Sequence, residues 1–136
     1  MVMKIGSAMS TMELVDCTEE YWDFVRVLRM NKKVAQGFIE GADISPEDQV
    51  RYMTKYSECY RVCLSNGRPC GYVGVIDDDI RVCVDPNYWK MGVGKFMINK
   101  CREIWPSSFA RVKVDNNASL ALFKSCGFEP KYIILE

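Results

Sequence analysis

Two glycines spaced by one residue, Gly92 and Gly94, stand in the segment "VCVDPNYWKMGVGKF", after a Val-rich run that ends at Asp85-Pro86 and ahead of an apolar run from Val93. Glycines at that place can do chemistry. The first turn of a helix carries amides without internal partners, its dipole favours anions, and glycine removes the side chain that would keep a phosphate away. Gly-x-Gly at a helix start also serves plain packing of helix on sheet, so the flanking residues have to decide. A P-loop needs a Gly-Lys-Ser/Thr, but Gly94-Lys95 is followed by Phe96, and position 89 is Trp. A dinucleotide fingerprint needs a third Gly at position 97, which is Met. What remains is strand, Val-x-Val-Asp-Pro, short loop, Gly-x-Gly, helix. Other candidate chemistry is sparse. The chain has no His, so a general base has to be a carboxylate, a water chain or a backbone group, and Asp79 in "DDD" is the best placed, with Asp77 and Asp78 next. A polar turn is the competing role for these three.

The elements that must position these residues are legible from periodicity. "MELVD" (12–16) reads as a short strand after a loose start over residues 1–10. Thr18 caps a helical pattern that runs to about Asn31, and Ser45-Pro46-Glu47-Asp48 is a complete helix start for a second helix ending near Glu58. "YRVCL", "GYVGVID" and "IRVCVD" are β-branched runs separated by "SNGRP" and "DDD", which predicts an antiparallel meander, its first turn carried by Asn66-Gly67. A helix follows over 93–104, then a strand "FARVKV", a short helix "ASLALFKS" closed by Gly127, and a final strand "YIIL". The order predicts an α/β (α+β) domain spanning 1–136, with one central sheet.

Composition narrows the class. At 136 residues, 49% hydrophobic and 26% charged, the chain is an ordinary globular domain able to bury one core. Eighteen basic residues balance eighteen acidic ones, which argues against a general nucleic-acid binder. Seven Cys without a Cys-x-x-Cys pair, in a chain without His, exclude the usual zinc patterns, so no metal is expected. Several sit inside apolar runs and read as small hydrophobes of a reducing compartment. No signal peptide and no membrane span is predicted, and the expected location is cytoplasmic.

A second stretch bears on the first. "VCVDPNYWKMGVGKF" resembles motif A of the GNAT superfamily of acetyl-CoA-dependent N-acyltransferases, and "NNASLALFKSCGF" resembles its motif B, with Asn116, Ser119, Leu122, Phe123, Gly127 and Phe128 in register. The resemblance covers the chain from residue 11 to the end. It implies a mixed sheet of about six strands flanked by helices and splayed between the fourth strand and the next, where the pantetheine arm of acetyl-CoA lies. Val82, Cys83 and Val84 would then offer backbone groups to that arm, and the amides of Met91, Gly92, Val93, Gly94 and Lys95 would hold the pyrophosphate. Asn116, Ser119 and Phe123 would line the cofactor site from motif B, Asn116 with helix capping as its competing role. Two residues depart from the family pattern. Trp89 stands at an Arg/Gln position, with Lys90 as compensation, and Phe123 replaces the Tyr that protonates the leaving thiolate in many members, leaving Cys126, Tyr132 and Tyr88 as stand-ins.

The resemblance further implies an acceptor cleft lined by Arg29 and Asn31, as in members that acylate nucleotide-linked amino sugars. The implied activity is acetyl transfer from acetyl-CoA to a primary amine of a small molecule, an amino sugar among the candidates. Protein N-acetylation and a non-catalytic acyl-CoA-binding remnant are the alternatives. The expected partner is a small amine acceptor, without nucleic acid or membrane, in a monomer or homodimer.

Overall fold

The structure, a computed structural model, describes residues 2–5, 8–39 and 43–136, with backbone alone over 2–5 and 8–10. Five antiparallel strands lie side by side in chain order: β1 Val2–Ile5, β2 Ala8–Asp16, β3 Tyr60–Ser65, β4 Arg68–Ile76 and β5 Asp79–Val84. The helices are α1 Trp22–Met30, α2 Lys32–Ala35, α3 Pro46–Tyr56, α4 Val93–Ile104 and α5 Asn117–Ser125. Ser45 caps α3 through Asp48 N–H at 3.1 Å, and Asn116 caps α5 through Ser119 N–H at 3.1 Å.

Strand alternation sends neighbouring residues to opposite faces, and each face builds its own core. Val73, Val75, Ile80 and Cys63 pack under α4 and α5 with Phe96, Met97, Ile98 and Phe123. Tyr60, Val62, Leu64, Tyr72 and Cys83 pack under α1 and α3 with Val25, Leu28 and Met53. The turns that set this register carry left-handed residues. Asn66 and Gly67 have φ of 51° and 80°, and Asp77 and Asp78 have 52° and 64°. Two consecutive positive φ angles match the twist of a tight hairpin. The "DDD" run therefore divides: Asp77 and Asp78 make the turn, and Asp79 begins β5.

Three expectations are corrected. Residues 2–5 and 8–10, read as part of a loose start, supply β1 and the first part of β2. Backbone pairing adds such an edge without needing an apolar period. "FARVKV" makes one parallel bridge, Phe109 with Asp79, and no strand. Beyond it the chain leaves the sheet, and Val114 is fully in solvent. "YIIL" likewise forms no strand, and Tyr132, Ile133, Ile134 and Leu135 are exposed. β-Branched residues favour a strand only where a ladder partner is in reach. The central sheet flanked by helices and splayed at one edge is as expected, but among the described residues it has five antiparallel strands rather than about six mixed ones.

Candidate active site

β5 is the edge where the site forms. Asp85 N–H donates to Cys70 C=O at 2.9 Å, which sets the phase of the antiparallel ladder: residues 83, 81 and 79 exchange hydrogen bonds with β4, and 84, 82 and 80 turn their N–H and C=O groups outward. Ile80 N–H confirms the phase by donating outward to Phe109 C=O at 2.8 Å. Past that bond the neighbouring segment departs, so Val82 faces an open slot. Of the three residues assigned to the pantetheine arm, Val82 and Val84 present backbone groups to the slot, while those of Cys83 belong to the ladder. The Cys83 side chain is buried on the other face, where burial pushes its thiol pKa well up. Val84 C=O is already engaged, accepting from Trp89 Nε1 at 2.9 Å.

The slot widens into a cleft of about 630 Å³ lined by Val82, Cys83, Val84, Tyr88, Trp89, Lys90, Gly92, Val93, Gly94, Lys95, Asn116, Ser119 and Leu122, with Lys33, Val34, Gly37 and Phe38 across from them. α4 points its N-terminus into it. Phe96 N–H is the first to reach an intrahelical acceptor, Gly92 C=O at 3.0 Å, so the amides of Val93, Gly94 and Lys95 lie before the ladder begins. α3 and α5 each have a side-chain cap; α4 has none among the described residues. The two glycines have different jobs. Gly92 takes φ of 83°, the left-handed turn that starts the helix. Gly94 lets α4 approach α5, since a Cβ there would lie 2.8 Å from Leu122 Cδ2. The packing role and the open amides coexist.

A second, smaller cleft of about 160 Å³ adjoins the first and shares Gly37, Phe38, Val82, Asn116 and Ser119 with it. Its walls carry Arg29, Asp79, Arg81, Arg111 and Phe123. Asp79, 8% exposed, accepts from Arg111 Nε at 3.0 Å and Nη2 at 2.8 Å, both on Oδ2, and Arg81 Nε stands 3.8 Å from the same oxygen. The Arg29 guanidinium lies 3.6 Å from the centre of the Phe38 ring.

The residues singled out in the sequence separate accordingly. Val82, Val84, Gly92, Val93, Gly94, Lys95, Asn116 and Ser119 converge on the larger cleft, and Cys83 reaches its lining. Arg29 and Asp79 come together in the smaller one. Met91 is exposed beside the cleft and outside its lining. Asn31 faces solvent and caps α2 through Lys33 N–H at 2.9 Å. Phe123 is a core residue, edge-on to Phe128, that closes the smaller cleft. Of the stand-in acids, Tyr88 lines the larger cleft, Cys126 is buried in the core, and Tyr132 is in solvent on the tail. Arg81, Arg111 and Lys33 were missed. An arginine in an alternating strand reads as a solvent-facing residue, and although the resemblance sets the splay beside this strand, nothing local shows which distant side chains line the clefts there.

A family model described as Acetyltransferase (GNAT) family matches residues 16–128. Among solved structures, a spermidine N-acetyltransferase from Vibrio cholerae in complex with CoA and spermine is 16% identical, with a TM-score of 0.78 over 89% of this chain and 82% of that one. A domain from Methanocaldococcus jannaschii is 19% identical, with a TM-score of 0.77 over 90% of each chain. An aminoglycoside N-acetyltransferase in complex with CoA is 13% identical, with a TM-score of 0.71 over 97% of each chain. Among curated proteins no sequence matches the chain.

Proposed function

The chain belongs to the GNAT family of acetyltransferases, and on that premise we propose that it moves an acetyl group from acetyl-CoA to the primary amine of a small molecule. The observation that carries the reading is the junction of the two clefts: the open edge of β5 at Val82 and the uncapped start of α4 line the larger, and both clefts meet at Val82, Asn116 and Ser119. The donors present suit acetyl-CoA. The amides of Val93, Gly94 and Lys95 suit a pyrophosphate, helped by Lys33, Lys90 and Lys95 on the same walls. Val82 N–H and C=O suit an amide-bearing arm laid along the strand edge.

Acetyl-CoA supplies an activated thioester, so the protein's main task is to hold the amine against it and take a proton away. Asp79 is the one carboxylate among the described residues lining the smaller cleft, and we assign it that proton. Phe123 has no proton to donate. Tyr88 brings a hydroxyl to the wall of the larger cleft, as Ser119 does, and we assign assistance of thiolate departure to Tyr88.

The smaller cleft favours a small acceptor over a folded protein surface, and the spermidine and aminoglycoside acetyltransferases of similar fold point the same way. The seven cysteines are all free thiols, which supports a reducing, cytoplasmic setting. Calorimetry with acetyl-CoA, followed by thiol release against a panel of small primary amines and peptides, tests the reading. Release with small amines and none with peptides is expected. Release with peptides alone would move the chain to the protein acetyltransferases, and tight binding without release would make it a non-catalytic acyl-CoA binder.

A further inference from the structure

Arg81, on the wall of the smaller cleft, is a cation to which the acetyl-transfer reading gives no task. Among the described residues lining that cleft, three guanidiniums, those of Arg29, Arg81 and Arg111, stand with one carboxylate, that of Asp79. Asp79 is committed to Arg111 by two hydrogen bonds to Oδ2. Arg81 approaches that oxygen at 3.8 Å, beyond hydrogen-bonding distance, and its side chain is 43% exposed to the cleft and solvent. A guanidinium has five N–H donors in a planar fork suited to carboxylate or phosphate. Strand alternation places Arg81 with Asp79 and Cys83 on the α1 side of β5, the side from which Arg29 enters.

We infer that the acceptor is a primary amine that also carries an oxyanion, a carboxylate or a phosphate, and that Arg81 receives that oxyanion at the wall of the smaller cleft. The inference rests on the acetyl-transfer reading above and names the substrate class of that site. A polycation such as a polyamine or an aminoglycoside would bring several positive charges against these guanidiniums, and like charges at an interface select against a partner. This chain thus parts in acceptor chemistry from the spermidine and aminoglycoside enzymes whose fold it resembles. The same positive field disfavours the ammonium form of the acceptor, which helps present it as a neutral nucleophile.

The test uses the full chain, thiol release with acetyl-CoA, and acceptors in matched pairs: glucosamine 6-phosphate against glucosamine, and β-alanine against its amide, with spermidine and an aminoglycoside as polycations. kcat/KM is compared after correction for each amine's neutral fraction. The anionic member of at least one pair is expected to exceed its neutral twin and both polycations by about tenfold or more, about 1.4 kcal/mol, and which pair responds separates phosphate from carboxylate. Arg81→Gln is expected to raise KM for that acceptor about tenfold, with kcat less affected, Arg81→Lys to restore part of it, and acetyl-CoA affinity to stay unchanged. A polycation that matches the anionic acceptors, or neutral twins that match in both pairs, overturns the inference and leaves acetyl transfer standing, as does an Arg81→Gln enzyme with unchanged KM. Absence of thiol release with every acceptor sinks the acetyl-transfer reading itself, and this inference with it.

Discussion

Trp89 Nε1 donates to Val84 C=O at 2.9 Å, tying the loop after β5 back onto the strand's open edge. The bond occupies one of the outward acceptors of the slot and fixes a half-exposed indole on the cleft wall. A residue standing at an Arg/Gln position of the family pattern therefore has a mechanical role here. Trp89→Phe keeps the aromatic surface and loses the tether, worth about 1 kcal/mol. Acetyl-CoA should bind about fivefold more weakly by calorimetry. Unchanged affinity would show that the loop holds its place without the indole.

Gly94 and Leu122 predict a coupled pair. Gly94→Ala puts a Cβ 2.8 Å from Leu122 Cδ2 and should lower stability by about 1–3 kcal/mol. Leu122→Ala alone leaves a gap between α4 and α5. The double variant should be more stable than the sum of the single losses, read from urea denaturation as a double-mutant cycle. Strict additivity would mean that α4 moves rather than the leucine.

The cations of the larger cleft predict a salt effect. Lys33, Lys90 and Lys95 share its walls with Asp115. Lys33→Ala and Lys95→Ala should each weaken acetyl-CoA binding severalfold at low ionic strength and much less at about 0.5 M salt, where screening extends over only a few ångström. Equal losses at both salt concentrations would assign these residues to packing.

Asp79 separates two roles by its kinetics. If Asp79 takes the amine proton, Asp79→Asn lowers kcat and leaves KM little changed. If Asp79 serves to position Arg111, the substitution raises KM and leaves kcat near that of the wild type. A variant with wild-type KM and kcat would place the carboxylate outside the reaction.

The buried thiols predict loss of stability in alkali. Burial pushes Cys17 up from 9.0 to about 11, moderated by Arg61, and raises Cys101 and Cys83 as well. A pKa raised in the folded state gives no penalty while the thiols stay neutral in both states. Above pH 9 the unfolded chain releases its protons first, so stability should fall with rising pH between about 9 and 11. Cys59, partly exposed, should be the first thiol to react with a disulfide reagent in the folded protein. A flat stability profile through this window would mean that the thiolates are accommodated.

What the sequence by itself determined is the set of features whose causes lie within a few residues. Ser45 and Asn116 cap the helices that their flanking residues announce, Asn66-Gly67 makes its turn, and the glycines open α4 where their spacing says. The family resemblance, carried by two short motifs, was legible for the same reason. The tertiary structure decided everything that depends on partners distant in the chain. "FARVKV" and "YIIL" have the residues of strands, but a strand exists only with a ladder beside it, and β5 offers one bridge before the neighbouring segment leaves. Which of Val82, Cys83 and Val84 face the slot follows from the hydrogen-bond phase set by Cys70 and Asp85, fifteen positions apart. Arg29, Arg81 and Arg111 come from a helix, an edge strand and an irregular segment, and only the folding of α1 over the splayed end of β5 makes them one wall. Charge in a cleft is a sum over side chains that the backbone brings together, so no window of sequence contains it.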